Sequence, residues 1–143
     1  MIKEILATET LPLRSTVLRS NIPYGECVFQ TDASGFHLGA FAGTELVSVA
    51  TFFPEDYPEL GSGGYRLRGM ATHFAYQGQG HGAALIKAAI HRLKLNGTCY
   101  LWCNARTSAV GFYKKLGFVI ISEEFEVPGI GPHYNMSIQI NKI

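Results

Sequence analysis

Tyr65-Arg-Leu-Arg-Gly-Met-Ala-Thr-His-Phe-Ala-Tyr-Gln-Gly-Gln-Gly-His-Gly-Ala-Ala-Leu-Ile-Lys87 reads as a strand, a tight glycine-rich turn and a helix. Gly78, Gly80 and Gly82 leave the backbone N–H groups of the turn uncovered. With the positive end of the following helix, those groups make a socket for a phosphate. The turn lacks the lysine of a nucleotide-triphosphatase loop. At 143 residues the chain is too short for two dinucleotide-binding halves. The expected guest is a diphosphate carried by something other than ATP or NAD.

Outward from this stretch, strand and helix patterns alternate. Residues 2–7 suggest a short first strand. Thr10 is placed to cap a helix with Pro12 in its first turn, ended by Asn21 to Gly25. Phe36–Ala42 and Leu46–Phe53 are expected strands, joined by a hairpin turn through Ala42-Gly-Thr-Glu. Pro54 to Gly64 is an acidic, proline- and glycine-bearing loop placed to touch substrate. Tyr65–Thr72 is the strand feeding the turn, and Gly80–Leu95 the helix leaving it, with Asn96-Gly97 as its stop. Cys99–Asn104 is a strand with Cys99, Leu101 and Cys103 on one face and Tyr100, Trp102 and Asn104 on the other. Arg106–Leu116 is a second helix, and Phe118–Ser122 and Tyr134–Ile140 are the last strands, linked through Pro128-Gly-Ile-Gly-Pro132. The order argues a mixed α/β sheet in one domain.

Composition narrows the function. With 47% hydrophobic residues and no apolar run of spanning length, the chain should fold as a globule away from the membrane. The opening Met-Ile-Lys-Glu-Ile-Leu-Ala-Thr-Glu is too short and acidic for a signal peptide, so a cytoplasmic protein is expected. Cys27, Cys99 and Cys103 are expected reduced, without disulfide or metal. A net charge of +1 argues against a general nucleic-acid binder. Residues 1–70 carry five Lys+Arg against eight Asp+Glu, −3, and residues 71–143 seven against three, +4. The basic half holds the glycine turn, which suits an anionic ligand.

Three motifs then carry a resemblance. Gln77-Gly-Gln-Gly80-His-Gly82 fits a Gln/Arg-x-x-Gly-x-Gly/Ala element at a strand-to-helix junction. Leu101-Trp-Cys-Asn104 is a strand ending in asparagine. Ala109-Val-Gly-Phe-Tyr113-Lys-Lys-Leu-Gly117-Phe118 takes a helix bearing Phe-Tyr into Gly-Phe. In order and spacing the chain resembles the GNAT superfamily of N-acetyltransferases, most closely over residues 65–120. The tail from Glu124 to His133 further resembles small bacterial acetyltransferases of the ElaA group.

The resemblance implies one GNAT-like domain over residues 1–143: a mixed, mostly antiparallel central sheet flanked by helices, with a splayed strand pair at the CoA site. It implies acetyl-CoA as acyl donor, no metal, and a small-molecule or peptidyl amine as acceptor. Backbone groups of Met70, Ala71 and Thr72 would meet the pantetheine arm, and Gly69 suits a bulge there. Gln77, Gly78, Gln79, Gly80, His81, Gly82 and Ala83 would hold the diphosphate, and Asn104 and Phe112 would flank the donor. Met70 is expected to pack its side chain in the core and give only backbone to the ligand.

By the same resemblance Tyr113 is the general acid for the departing thiolate, and the N–H of Met70 or Ala71 serves the thioester oxygen. Many relatives carry a glutamate on the strand before the turn, where this chain has Arg66 and Arg68. His133 is therefore the first choice of base, with Glu124, Glu126, His37, a water relay or an amine arriving neutral as alternatives. Arg68 could fix an acceptor carboxylate, and Tyr65, Tyr134 and Glu124 could line its pocket. Transfer of another acyl group, a non-catalytic CoA-binding regulatory module, and a homodimer face at Trp102 and Tyr100 are the rival readings.

Overall fold

The computed structural model describes residues 1–141. One twisted sheet holds the strands β1 (Ile2–Ile5), β2 (Phe36–Ala42), β3 (Glu45–Pro54), β4 (Gly64–Thr72), β5 (Tyr100–Arg106), β6 (Val119–Ile120), β7 (Phe125–Val127) and β8 (Gly131–Gln139). Their order is β1-β2-β3-β4-β5-β8-β6, with β7 on β8 beside β6. Among the described residues only β4 and β5 run parallel; every other pair is antiparallel. The helix α2 (His81–Leu95) makes the β4-to-β5 crossover, as a parallel pair requires. This is the mixed, mostly antiparallel sheet flanked by helices that the family resemblance implies.

Two layers bury the sheet. On one face α2 packs Leu85, Ile86, Ala89 and Leu93 onto Leu38, Ala50, Phe52, Leu67 and Leu101, and α3 (Val110–Lys115) adds Tyr113. On the other face a short helix α1 (Leu11–Leu13), continued by a π turn over Arg14–Leu18, covers Ile5, Val49 and Ala71 with Leu13, Val17 and Leu18. Ser20 and Asn21 take positive φ (55° and 66°) and end that helical run, the stop anticipated at Asn21.

A buried ion pair ties the second layer to the sheet. Arg14 makes two hydrogen bonds to Asp32 (2.8 and 2.9 Å) and donates also to Thr51 Oγ1 and the Cys27 carbonyl. His37 bonds Thr51 Oγ1 and the Asp32 carbonyl. Burial pushes the Asp32 carboxyl up, but the Arg14 guanidinium and the Phe29 amide outweigh it and hold it below the usual value. His37 is thus committed to the scaffold.

The C-terminal part departs from expectation. β7 is a strand, and Val127–Gly131 is a tight hairpin turn with Ile130 N–H bonded to the Val127 carbonyl and Gly129 at φ 77°. β8 therefore begins at Gly131, not Tyr134. Pro128 and Gly129 serve a turn that one strand on each side can use, and short, low-contrast strands such as Phe125–Val127 carry too few residues to show alternation.

Candidate active site

β4 and β5 pair only from Gly64↔Tyr100 to Leu67↔Cys103, although β4 runs on to Thr72 and β5 to Arg106. Beyond Leu67 the β5-facing edge of β4 has no strand neighbour. The parting follows a bulge. Arg68 opposes Thr51 and Ala71 opposes Val49, so Gly69 and Met70 together face Ala50. Gly69 supplies the positive φ, 65°, that the bulge demands. The extra residue shifts the alternation: Arg66, Arg68 and Ala71 point to the α1 face, and Leu67, Met70 and Thr72 to the α2 face.

A cavity of about 360 Å³ occupies the gap. Met70, Cys103, Phe112 and Tyr113 line it from the α2–α3 side, and Leu18, Phe29, Arg66, Arg68, Arg106, Ile130 and His133 from the other. Its lining comes from both faces of the sheet. None of the lining residues is Asp or Glu.

At the end of β4, the turn from Gln77 to Gly80 is exposed, with Gly78 and Gly80 at φ 77° and 87°. A Cβ at either would meet nothing within 4 Å, so glycine serves backbone conformation here and leaves the space above clear. The first helical bond at this end is Ala84 N–H to the Gly80 carbonyl (3.0 Å). Among the described residues, the N–H groups of Gly78 to Ala83 have no acceptor within hydrogen-bond geometry. These six orphaned donors at a helix N-terminus fit a diphosphate. Gln77 donates to the Thr72 carbonyl (3.1 Å), bracing the turn against β4. Gly82 connects turn to cavity: Phe112 Cζ and Met70 Cε lie 3.5 and 3.6 Å from where its Cβ would be.

Tyr113 is 7% exposed and lies beside the Cys103 thiol. Burial pushes its phenol well above its ordinary value, with Cys103 adding to the rise. Burial likewise pushes the Cys103 thiol up to about 12. Both therefore stay protonated at neutral pH. Across the gap, His133 gives its Nδ1 proton to the Gly131 carbonyl (2.8 Å). A carbonyl only accepts, so this bond leaves Nε2 with the lone pair in the neutral ring.

Other residues proposed from the sequence lie elsewhere. Tyr65 and Tyr134 pack against the core on the α2 face and do not line the cavity. Glu124 is exposed and accepts from Thr107 Oγ1, and Glu126 is exposed on β7. Asn104 lines the cavity just past the last β4–β5 pair. Met70 does both things, packing on the core and lining the cavity. Trp102 and Tyr100 are covered by the chain's own loop: Trp102 donates to the Glu55 carbonyl and Tyr100 to Gly61, so neither is available to a dimer face. Sequence reasoning missed Phe29, Arg19 and Arg106 at the cavity. Phe29 sits in a stretch without period, and nothing in the sequence around it marks it out.

A family model described as an acetyltransferase (GNAT) domain matches residues 26–140. The chain belongs to the GNAT family. It is 42% identical over 138 residues to the uncharacterized N-acetyltransferase YitI of Bacillus subtilis (strain 168), covering 94% of this chain and 93% of that one. The ribosomal-protein-S18-alanine N-acetyltransferase of Escherichia coli superposes with a TM-score of 0.81 at 17% identity, covering 100% of this chain and 95% of that one. Escherichia coli ElaA gives 0.74 at 22%, covering 96% and 99%. ElaA thus stands no nearer than several other GNAT folds, and the narrower ElaA-like grouping is not singled out. As a GNAT protein the chain is an enzyme of acetyl-CoA-dependent acyl transfer to an amine. Among the described residues, no group of three or more His, Cys, Asp or Glu is arranged to hold a metal, and no helix is long and apolar enough to cross a membrane.

Proposed function

We propose that this GNAT protein transfers the acetyl group of acetyl-CoA to a primary amine of a small molecule or peptide, by direct attack of the amine on the thioester. The observation that carries the reading is the row of unpaired amides from Gly78 to Ala83, joined through Gly82, Met70 and Phe112 to the cavity that Tyr113 lines. The amides take the diphosphate. The unpaired edge of β4 from Met70 to Thr72 offers its backbone to the amides of the pantetheine arm, as an added strand would. Asn104 and Phe112 flank that arm.

The donor supplies an acyl group activated as a thioester. The chain's residues do the rest. Tyr113 keeps its proton until the sulfur departs and then donates to it. The Met70 or Ala71 N–H takes the carbonyl oxygen as charge gathers there. His133, with Nε2 free, accepts a proton from the attacking amine. Cys103 supports direct transfer, because a thiol pushed to about 12 offers no thiolate to carry the acyl group first. Titration calorimetry with acetyl-CoA tests the reading: binding at micromolar concentration is expected, and none at high micromolar concentration would reject it.

A further inference from the structure

The acceptor side of the cavity is lined by guanidinium groups and no carboxylate. Arg19, Arg66, Arg68 and Arg106 all face it. Arg66 is matched: it pairs with Glu55 at 3.1 Å and lies 4.6 Å over the Trp102 ring. Arg68 is not. It makes no hydrogen bond or ion pair with any described residue, and its guanidinium lies 4.0 Å over the Phe29 ring. Arg14 lies 3.9 Å from the same ring. Both guanidiniums thus lie against the Phe29 ring. Arg14 is itself fixed by Asp32, Thr51 and Cys27. Arg68 is exposed, and its contact with the Phe29 ring leaves its guanidinium donors without a partner among the described residues. Partial desolvation, then the neighbouring charges of Arg66 and Arg14, lower the Arg68 pKa, while Glu55 and Asp32 pull it the other way.

We propose that the acceptor is a small amine bearing a carboxylate, of amino-acid size, and that Arg68 binds that carboxylate through its two-pronged edge. The inference rests on the acetyltransferase reading above. Three facts carry it. Arg68 precedes the bulge and points to the α1 face of the cavity, whereas the glycine turn follows the end of β4 at the N-terminus of α2. A guanidinium fork matches a carboxylate bidentately. About 360 Å³ must hold both the acyl end of the donor and the acceptor, which favours a small molecule. The same arginines disfavour an ammonium beside them, so they help keep the amine neutral where relatives use a glutamate.

The test compares each of the common amino acids with its own carboxamide, by release of free thiol from acetyl-CoA. For the acids that are substrates, kcat/KM is expected at least tenfold above that of the amide. In Arg68→Gln the preference should collapse through KM, with acetyl-CoA affinity by calorimetry unchanged, which also shows that the variant folds. Amides used as well as acids, acids ignored while neutral amines react, no amine of the panel used, or an unchanged preference in Arg68→Gln would each overturn the proposal. If acetyl-CoA binds in those cases, the fault lies with the acceptor assignment alone. If acetyl-CoA does not bind, the acetyltransferase reading itself fails.

Discussion

Gly69→Ala tests the bulge that opens the site. Two costs are readable from the structure. At φ 65° an alanine takes the left-handed region, which costs about 1–2 kcal/mol. Its Cβ would also stand 3.0 Å from Arg14 Nε and 3.1 Å from Phe29 Cε2. Arg14 cannot yield cheaply, because Asp32, Thr51 and the Cys27 carbonyl hold its far end. Relieving that contact costs about 1–2 kcal/mol more, the low end of overpacking. Gly43→Ala is the control. Gly43 has φ 63° but open space around its Cβ, so it incurs the backbone cost alone. Urea unfolding of the two variants should therefore place Gly69→Ala about 1–2 kcal/mol below Gly43→Ala, with a melting temperature lower by a further ~5 °C. Acetyl-CoA binding should weaken only in Gly69→Ala, since the edge from Met70 to Thr72 must move with the bulge. Equal destabilisation of the two variants, together with unchanged acetyl-CoA affinity in both, would refute the role given to Gly69.

Tyr113→Phe should lower kcat on the order of 100-fold while leaving the acetyl-CoA dissociation constant within about twofold, measured by stopped thiol release and calorimetry; equal turnover removes the phenol from the reaction. Asp32→Ala should cost about 3–5 kcal/mol in urea unfolding, because it strands the buried Arg14 charge. Cys103 and Tyr113 both hold their protons more tightly in the folded chain than at their ordinary values of 9.0 and 10.0. Their stabilisation is complete below those values and is lost as pH rises through 9 towards 12, with the thiol contributing up to ~4 kcal/mol. Thermal melts of Cys103→Ala from pH 8 to 11 should decline less steeply than those of the unmodified protein, and parallel curves would contradict this.

Much of the fold was legible because its signals are local. The β2–β3 hairpin follows from Gly43-Thr44 between apolar runs, and α2 from a broad apolar stripe with a glycine at each end. The 77–83 turn was legible for the same reason: glycine spacing sets backbone conformation without help from distant residues. Tyr65 and Tyr134 show where local reading stops. Alternation says which residues share a face, but not which face is covered by helices and which opens on the cavity. The bulge at Gly69 then breaks the alternation itself, sending Met70 to the α2 side, away from Arg68.

From the chain of letters alone come the glycine turn, the order of the larger strands and helices apart from β7, the acetyltransferase kinship and the tyrosine before Leu116-Gly117, since each depends on neighbours a few positions apart. Only the folded molecule brings Arg14 and Arg68 against Phe29, sets His133 and Tyr113 on the same cavity, and hides Trp102 under its own loop. Those arrangements join segments far apart in sequence. They are decided by where two strands stop pairing and by what is buried on each side, quantities that no short window of residues contains.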